Sequence, residues 1–542
     1  MTQGTAEGAA EAAAFDYIVV GAGSSGAVVA ARLSEDPATR VLLLEAGGRD
    51  DNLWIHIPLG FAKVHFAEKL SWRYECGPEP ELNGRSIFYS GGRVLGGSSA
   101  INGLLYLRGA PLDYATWCQM GAQGWSYDDV LPYFRKAERQ RHGADAYHGA
   151  GGPQGVEDTG WRNDLADAFI TAAGHIGIPA NPDFNGPQMA GAGYYQLTSW
   201  KGRRCSTAVA YLRPARRRAN LRVITDALVT RVEVDGSRAV AVRFEQGGAT
   251  HRVSAAREII ICGGALNTPQ LLQRSGIGPA PLLRSLGIEV QCDLPGVGEN
   301  LCDHMLVARE YDCSNRQTMN AMMATPFAQI AAGLRYLTGR RGPLTVGAAL
   351  AGAFGFTRDG LETPDAQLFY IPFTRGEEPG TLARQSGFTL MGNLCRPESR
   401  GHVRVRSSNS REPPTIVANY LSTDADKAGA IAILRMLGRI ADASPLRDVI
   451  LKERWPGPGF SSDEEMLELV RASASTAFHY AGTCRIGTDA MAVVNPDLTV
   501  RGISGLRVAD ASVMPTIISG NPNAVCIMIG EKCADLIKDA GR

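Results

Sequence analysis

Gly21, Gly23 and Gly26 stand at the spacing G-x-G-x-x-G, with Ala22, Ser24 and Ser25 between them and Glu45 19 residues beyond Gly26. That set suits a dinucleotide. The first glycine permits a tight turn, the second lets backbone approach a pyrophosphate, and the third lets a helix pack on a strand. The helix start that follows offers unpaired N–H groups and a positive dipole end to the same pyrophosphate. Glu45, followed by Ala46, can accept hydrogen bonds from ribose hydroxyls. This argues against a 2′-phosphate and therefore against NADP. The fingerprint alone does not separate FAD from NAD. Toward the other end, His479 opens H-Y-A-G-T, and Asn523 lies 44 residues later in S-G-N-P-N-A. Imidazole titrates near neutrality and moves protons readily. Taken alone, however, a single histidine is more often structural, and both Asn521 and Asn523 can be plain helix caps.

The elements that must position these groups are legible around them. FDYIVV (Phe15 to Val20) is a short apolar run with β-branched residues, AVVAARLSED carries helix formers, and VLLLEAG (Val41 to Gly47) reads as a buried strand. Strand, glycine turn, helix and strand make a βαβ unit of a doubly wound parallel sheet. Residues 160–205 are polar and glycine-rich without a strong period. From Asn220 to Ile261 the chain alternates like strands, and AQLFYIPF and HVRVRSS read as strands further on. A helical run covers Asp424 to Asp442. Asn521 as N-cap, Pro522 at N1 and AVCIMIGEKCADLIKD predict a last helix.

Lysine plus arginine equals aspartate plus glutamate, 55 each, which argues against nucleic acid or a membrane surface as partner. The 11 cysteines include no C-x-x-C pair and read as thiols in a reducing compartment. Residues 1–14 lack the basic and apolar regions of a signal peptide and read as a disordered tail. Pro343 to Phe356 is the longest weakly apolar run, too short for a membrane span. A cytoplasmic protein without a membrane span is expected. No His/Cys/Asp cluster has metal-ligand spacing, and no G-x-S-x-G elbow is present. His304, in C-D-H, reads as structural.

Five ordered motifs then decide the class. They are GGRVLGGSSAIN (Gly91 to Asn102), GGALNTPQLLQRSGIGP (Gly263 to Pro279), LPGVGENLCDH (Leu294 to His304), HYAGTCRIG from His479, and LRVADASVMPTIISGNPNA ending at Ala524. Together they resemble the glucose–methanol–choline (GMC) oxidoreductases, and the C-terminal block is most like the bacterial choline-dehydrogenase-like branch. The resemblance implies an α/β fold. A Rossmann-like FAD-binding domain (15–160, 206–310 and 470–538) would carry the doubly wound sheet. A substrate domain (161–205 and 311–469) would be built on an antiparallel sheet flanked by helices. It implies oxidation of an alcohol, a primary one above all, to an aldehyde or ketone. Hydride would pass to flavin N5 with His479 as base, and oxygen or another acceptor would reoxidise the flavin. A flavin-retaining lyase or other non-oxidative enzyme is the alternative reading.

Carried over residue by residue, the resemblance implies flavin contacts from Ser98, Asn102, Gly103, Leu104 and Leu105, with Arg93 and Val94 in the same motif. Trp72 would lie near the cofactor, Val229 would hold the adenine edge through backbone groups, and Asp510 and Ala511 would return to it from the C-terminal side. Pro522 and Asn523 would open the helix aimed at the flavin pyrimidine ring, with Asn523 bonding the alkoxide. Two departures inform. Ile101 replaces the histidine that attaches FAD covalently in some members, so FAD should be non-covalent. Leu306 replaces the glutamate that choline-specific members set against the trimethylammonium, which speaks against choline. Which alcohol is used and the oligomeric state are not legible.

Overall fold

The computed structural model describes residues 15–541 except 316, 377, 379, 380 and 458. The tail expected over residues 1–14 lies outside the described residues.

Tyr17, Ile18, Val19 and Val20 are all buried, and the strand Phe15–Val20 pairs in parallel with Val41–Leu44 on one side and with the end of Ala249–Ile261 on the other. Leu221–Ile224 extends the sheet beyond Val41–Leu44, and Leu506–Val508 pairs in parallel with Ile259–Ile261. Such two-sided burial is what near-continuous Val, Ile and Leu runs require. The first half of Ala249–Ile261 turns outward and pairs antiparallel with Arg238–Gln246, which in turn pairs with Leu228–Asp235. The second strand stops at Leu44 rather than Gly47; the Glu45 N–H still donates to the Ile224 carbonyl, and the Glu45 side chain accepts from the N–H groups of Ala22 and Gly47.

The second sheet is antiparallel, in the order Ile450–Trp455, Met305–Cys313, Gly387–Leu394, Ala366–Ile371, Ala351–Gly355 and Gly191–Tyr194. The helix Asp424–Asp442, capped by the Thr423 side chain on the Asp426 N–H, packs across it through Ile433, Leu437 and Ile440. Its bounds are those read from the sequence. The stretch 160–205, by contrast, holds a helix the sequence reading passed over. Asp164–His175 is capped by Asn163 Oδ1 on the Ala166 N–H and buries Leu165, Phe169, Ala172 and Ala173. Three of its five buried side chains are alanine, which weakens the apolar stripe to the eye while leaving it packable.

Both chain ends meet in the first body. Gly21, at φ 97°, makes the turn after the first strand. A Cβ on Gly26 would stand 1.9 Å from the Gly21 carbonyl oxygen, and one on Gly530 in the last helix would stand 2.8 Å from the Ser25 carbonyl oxygen. The third fingerprint glycine is therefore a packing requirement. Gly26→Ala should lower the stability to chemical denaturation by about 1–3 kcal/mol, as overpacking does. Gly174→Ala, with nothing within 4 Å of the added carbon, should leave stability unchanged or raise it by about 0.4–1 kcal/mol.

Candidate active site

A cavity of about 700 Å³ runs from the fingerprint turn of the first body to the inner face of the second sheet. Gly21, Gly23, Ser24 and Ser25 line it, with Glu45 and Ala46 from the end of the second strand. Ser98, Asn102, Gly103, Leu104 and Leu105 line it, and so do Trp72, Val229, Asp510 and Ala511. Four predicted contacts do not line it. Ala22 is sealed beneath Glu45, and Gly26 is turned onto Gly21. Val94 sits fully buried in an apolar cluster with Ile55, Val64 and Ala100. Arg93 lays its guanidinium over the Trp72 ring at 4.8 Å.

The cavity fits the FAD that the sequence implies. A Cβ on Gly264 would meet no protein atom within 4 Å, and one on Gly23 would meet only the Gly97 Cα at 3.9 Å, yet both glycines border the cavity. That is open cradle next to backbone, as a pyrophosphate needs. The helices Gly26–Leu33 and Asn523–Ala540 both begin without a side-chain cap, leaving N–H groups and dipole ends free at the cavity. Ser24 Oγ donates to Asn523 Oδ1 at 2.8 Å and Ser25 Oγ to the Cys526 carbonyl at 2.7 Å, so the two helix starts are tied together. Behind the middle wall, the buried Arg204 guanidinium bonds Asn102 Oδ1 at 2.7 Å and the carbonyls of Ile55 and Ser99. It has no carboxylate partner among the described residues, and its Nη2 is buried without a hydrogen bond. Such a cation suits a neighbouring anionic group. Burial pushes Glu45 up to about 7 against the pull of the Gly47 and Ala22 N–H groups.

At the other end of the cavity stands His479, buried to 8% exposure. Its segment folds against the start of Met305–Cys313. Met305 and Leu306 pair antiparallel with Thr476 and Ser475, and Cys302 bridges Ala481. Between these contacts the backbone bulges, with Phe478 held at φ 61°, a left-handed conformation that costs a non-glycine residue about 1–3 kcal/mol. Asp303 fastens the bulge. It accepts from the His479 N–H at 2.8 Å, from Thr476 Oγ at 2.5 Å and from the Tyr420 hydroxyl at 2.5 Å. Burial raises its carboxyl to about 6 despite these donors.

The two histidines flanking this ladder meet. His304 Nδ1 lies 2.9 Å from His479 Nδ1, and His304 Nε2 lies 3.0 Å from the Cys395 carbonyl. A carbonyl only accepts, so the His304 proton sits on Nε2. Burial pushes His304 down to about 4 and holds His479 well below the ordinary imidazole value, with the His304 ring a lesser cause. Both rings are neutral at pH 7. His304 Nδ1 is then an acceptor, His479 donates to it from Nδ1, and the lone pair of His479 is left on Nε2. That nitrogen is 2.9 Å from Asn521 Nδ2, while Asn521 Oδ1 accepts from Gln367 Nε2 at 3.1 Å.

The asparagine beside the histidine is thus Asn521, not Asn523. The helix begins at Asn523 with Pro522 as its cap residue, so Asn521, expected as the cap with Pro522 at N1, is neither cap nor helical. Asn523 is spent on Ser24 at the dinucleotide turn. His304, read from the sequence as structural on its place in C-D-H, is buried and bonds His479 at the cavity end. His65 was missed: it lines the cavity with its Nε2 buried and unbonded, and burial pushes it down to about 4. The second sheet contributes Leu306, Phe369, Ile371 and Met391, which with Ala348 and Ala349 make an apolar part of the cavity lining. Among the described residues, no group of acidic, histidine or cysteine side chains could hold a metal.

Two GMC oxidoreductase family models match the chain, over residues 15–306 and 397–530. Similar proteins include the oxygen-dependent choline dehydrogenase of Pectobacterium atrosepticum, 42% identical over 97% of this chain and 94% of the relative. The mitochondrial choline dehydrogenase of Mus musculus is 40% identical over 97% of this chain and 89% of the relative. Among solved structures, pyridoxine 4-oxidase from Mesorbium loti superposes with a TM-score of 0.88 at 30% identity, covering 97% of this chain and 99% of the other. Formate oxidase of Aspergillus oryzae RIB40 gives a TM-score of 0.91 at 26% identity, covering 98% and 99%.

The proton placement is open to direct measurement. In ¹⁵N-histidine-labelled protein at pH 7, His479 should show a protonated Nδ1 and a bare Nε2. His304→Leu removes the acceptor, and a buried unpaired N–H costs about 1–3 kcal/mol, so the proton should move to Nε2 as the Asn521 and Gln367 amides turn over to present the Asn521 oxygen to it. His304→Gln, with an amide oxygen to accept, should restore the original pattern. An unchanged tautomer in His304→Leu would refute the relay.

Proposed function

The chain belongs to the GMC oxidoreductase family, an FAD-dependent oxidoreductase acting on a CH–OH group, and from that premise we propose that it oxidises neutral primary alcohols with His479 as base and Asn521 as the oxygen-binding amide. The observation that carries the reading is the Asn521 Nδ2 to His479 Nε2 contact of 2.9 Å at the inner end of the cavity. A hydroxyl that reaches both atoms from the cavity and displaces this bond finds a lone pair for its proton on His479 and an N–H for its oxygen on Asn521. In this reading the parallel-sheet body holds the FAD and the antiparallel sheet holds the substrate.

Bound FAD supplies the acceptor for the hydride that leaves the alcohol carbon. The work of the chain is with the proton and the oxygen. Neutral at pH 7, the imidazole takes the hydroxyl proton on Nε2 as the carbonyl forms. The imidazolium keeps its Nδ1–H bond to His304, and the new Nε2–H points at the oxygen it came from. Asn521 steadies the negative charge growing on that oxygen and never carries the proton itself. Its orientation is fixed from behind by Gln367. Phe369, Ile371 and Met391 exclude water from the carbon end, which favours an aliphatic or aromatic alcohol over a polyol. Attachment of FAD is non-covalent, since Ile101, at the cavity wall, has no nucleophilic nitrogen.

His479→Ala should slow anaerobic flavin reduction by a good alcohol about 10²–10⁴-fold with FAD still bound. Asn521→Ala should cost about 10–10²-fold, and the double variant less than the product, because both groups act on one oxygen. Asn523→Ala should change the reduction rate less than Asn521→Ala. The reverse order would move the oxygen site to Asn523. Acid denaturation should release the yellow cofactor into solution, and colour retained in the pellet would contradict non-covalent binding.

Choline should be a poor substrate despite the relatives' names. The carboxylates bordering the cavity among the described residues are Glu45 and Asp510, and both are engaged by N–H groups near the dinucleotide turn. Leu306 offers no anion to a trimethylammonium group. Neutral primary alcohols should exceed choline in kcat/KM by about tenfold or more, and Leu306→Glu should narrow the gap. Efficient choline oxidation by the unaltered protein would show this reasoning to be wrong.

A further inference from the structure

The helix Pro326–Gly339 faces outward with its apolar side. Phe327 is 85% exposed, Ile330 61%, Leu334 56% and Leu337 68%, whereas Ala332 and Tyr336 on the opposite side are buried. At about 100° per residue the four exposed side chains fall within one narrow stripe, opposite the side that packs on the protein. Isolated exposed apolar residues are ordinary, but four in one stripe on one helix are not. No helix among the described residues is long and apolar enough to cross a membrane, so the stripe is not part of a span.

Charge around the helix is one-sided. Between Asp312 and Asp359 the sequence contains no acidic residue. Arg335, Arg340 and Arg341 stand at the C-terminal end of the helix, and the hairpin bearing Lys201 and Arg203 is held there by the Tyr336 hydroxyl on the Gly202 carbonyl at 2.9 Å. None of these five cations takes part in an ion pair among the described residues. The carboxylate that meets that hairpin, Glu157 on the strand Gln154–Asp158, is itself buried and accepts from the N–H groups of Lys201 and Gly202 and from Ser199 Oγ.

We infer that this face docks the protein onto an anionic lipid surface, with the stripe entering the acyl boundary and the five cations meeting the headgroups. An apolar stripe rimmed by unpaired lysine and arginine is the composition that binds such a surface. A second copy of this chain fits less well, because its matching face carries the same unpaired cations and, between Asp312 and Asp359, no acidic residue to meet them. The balanced net charge hid the feature, since the anions that offset these cations lie elsewhere in the chain. The face is also continuous with the cavity. Tyr336, Ala332 and Leu344 pack on Ile57 and Leu59, the segment that leads to Phe61 and His65 at the cavity wall and to Phe66, 55% exposed, at its edge.

The test uses the FAD-loaded full chain and large unilamellar vesicles of phosphatidylglycerol and phosphatidylcholine. The protein should sediment with mixed vesicles at low salt, and at least about tenfold more weakly with phosphatidylcholine alone or in 0.5 M salt. Phe327→Ser combined with Leu334→Ser should lower vesicle affinity at least about tenfold, as should Arg340→Glu with Arg341→Glu. Both pairs should keep the thermal midpoint and the rate of flavin reduction in solution. Failure to bind mixed vesicles, or binding untouched by both pairs, overturns the inference. So does a dimer in analytical ultracentrifugation that Phe327→Ser with Leu334→Ser dissolves, since a second copy would then cover the stripe.

Discussion

A peptide carbonyl accepts hydrogen bonds and cannot donate one, and that asymmetry at Cys395 governs the reactive end of this protein. It fixes the proton on His304, which fixes the proton on His479, which leaves the working lone pair aimed at Asn521. Each bond in the line comes from a different part of the chain. Cys395 follows a central strand of the antiparallel sheet, His304 precedes another, His479 sits in the bulge that pairs with it, and Asn521 precedes the helix that closes the flavin body. One such bond contributes about 0.5–1.5 kcal/mol, yet leaving a buried partner bare costs about 1–3 kcal/mol. The relay is therefore held by the penalty for breaking it more than by the gain from making it.

The strained backbone at Phe478 belongs to the same arrangement. An ordinary ladder would carry the His479 ring to one face or the other of the strand pair. The bulge, fastened by Asp303 on the His479 N–H and on Thr476, turns it toward His304 instead. Asp303 is fully enclosed and surrounded by donors, so it acts as a bracket for backbone and hydroxyl groups, removed from the reacting atoms.

Much of the nucleotide half was legible because its constraints are local. A glycine that must lack a Cβ, a strand buried on both faces and a carboxylate at a strand end all leave marks at fixed short spacings. The reactive half was less legible because its contacts are distant and directional. Asn521 and Asn523 differ by two positions, and which one faces the histidine depends on where the helix begins, a boundary that spacing does not give. His304 and His479 are 175 residues apart and meet only through the pairing of their strands. Arg93 and Val94 share a motif with true cavity residues, but one turns onto Trp72 and the other into a core cluster. Phe369 and Ile371 were visible as part of a strand but not as part of the cavity wall, and the strand that carries Met391 was not read at all.

The two tied helix starts have a consequence for how the protein is made. Ser24 and Ser25 find their partners 499 and 501 residues away, and Arg32 pairs with Glu531. Leu506–Val508 completes a sheet whose first strand is Phe15–Val20. At ribosomal speeds of about 5–20 residues per second, the first strands wait roughly 25–100 s for these partners to be synthesised. Throughout that interval a Val, Ile and Leu-rich sheet edge and one face of the first helix stand uncovered. A stop codon before Leu506 would therefore remove both the strand that completes the parallel sheet and the helix that ties down the dinucleotide turn.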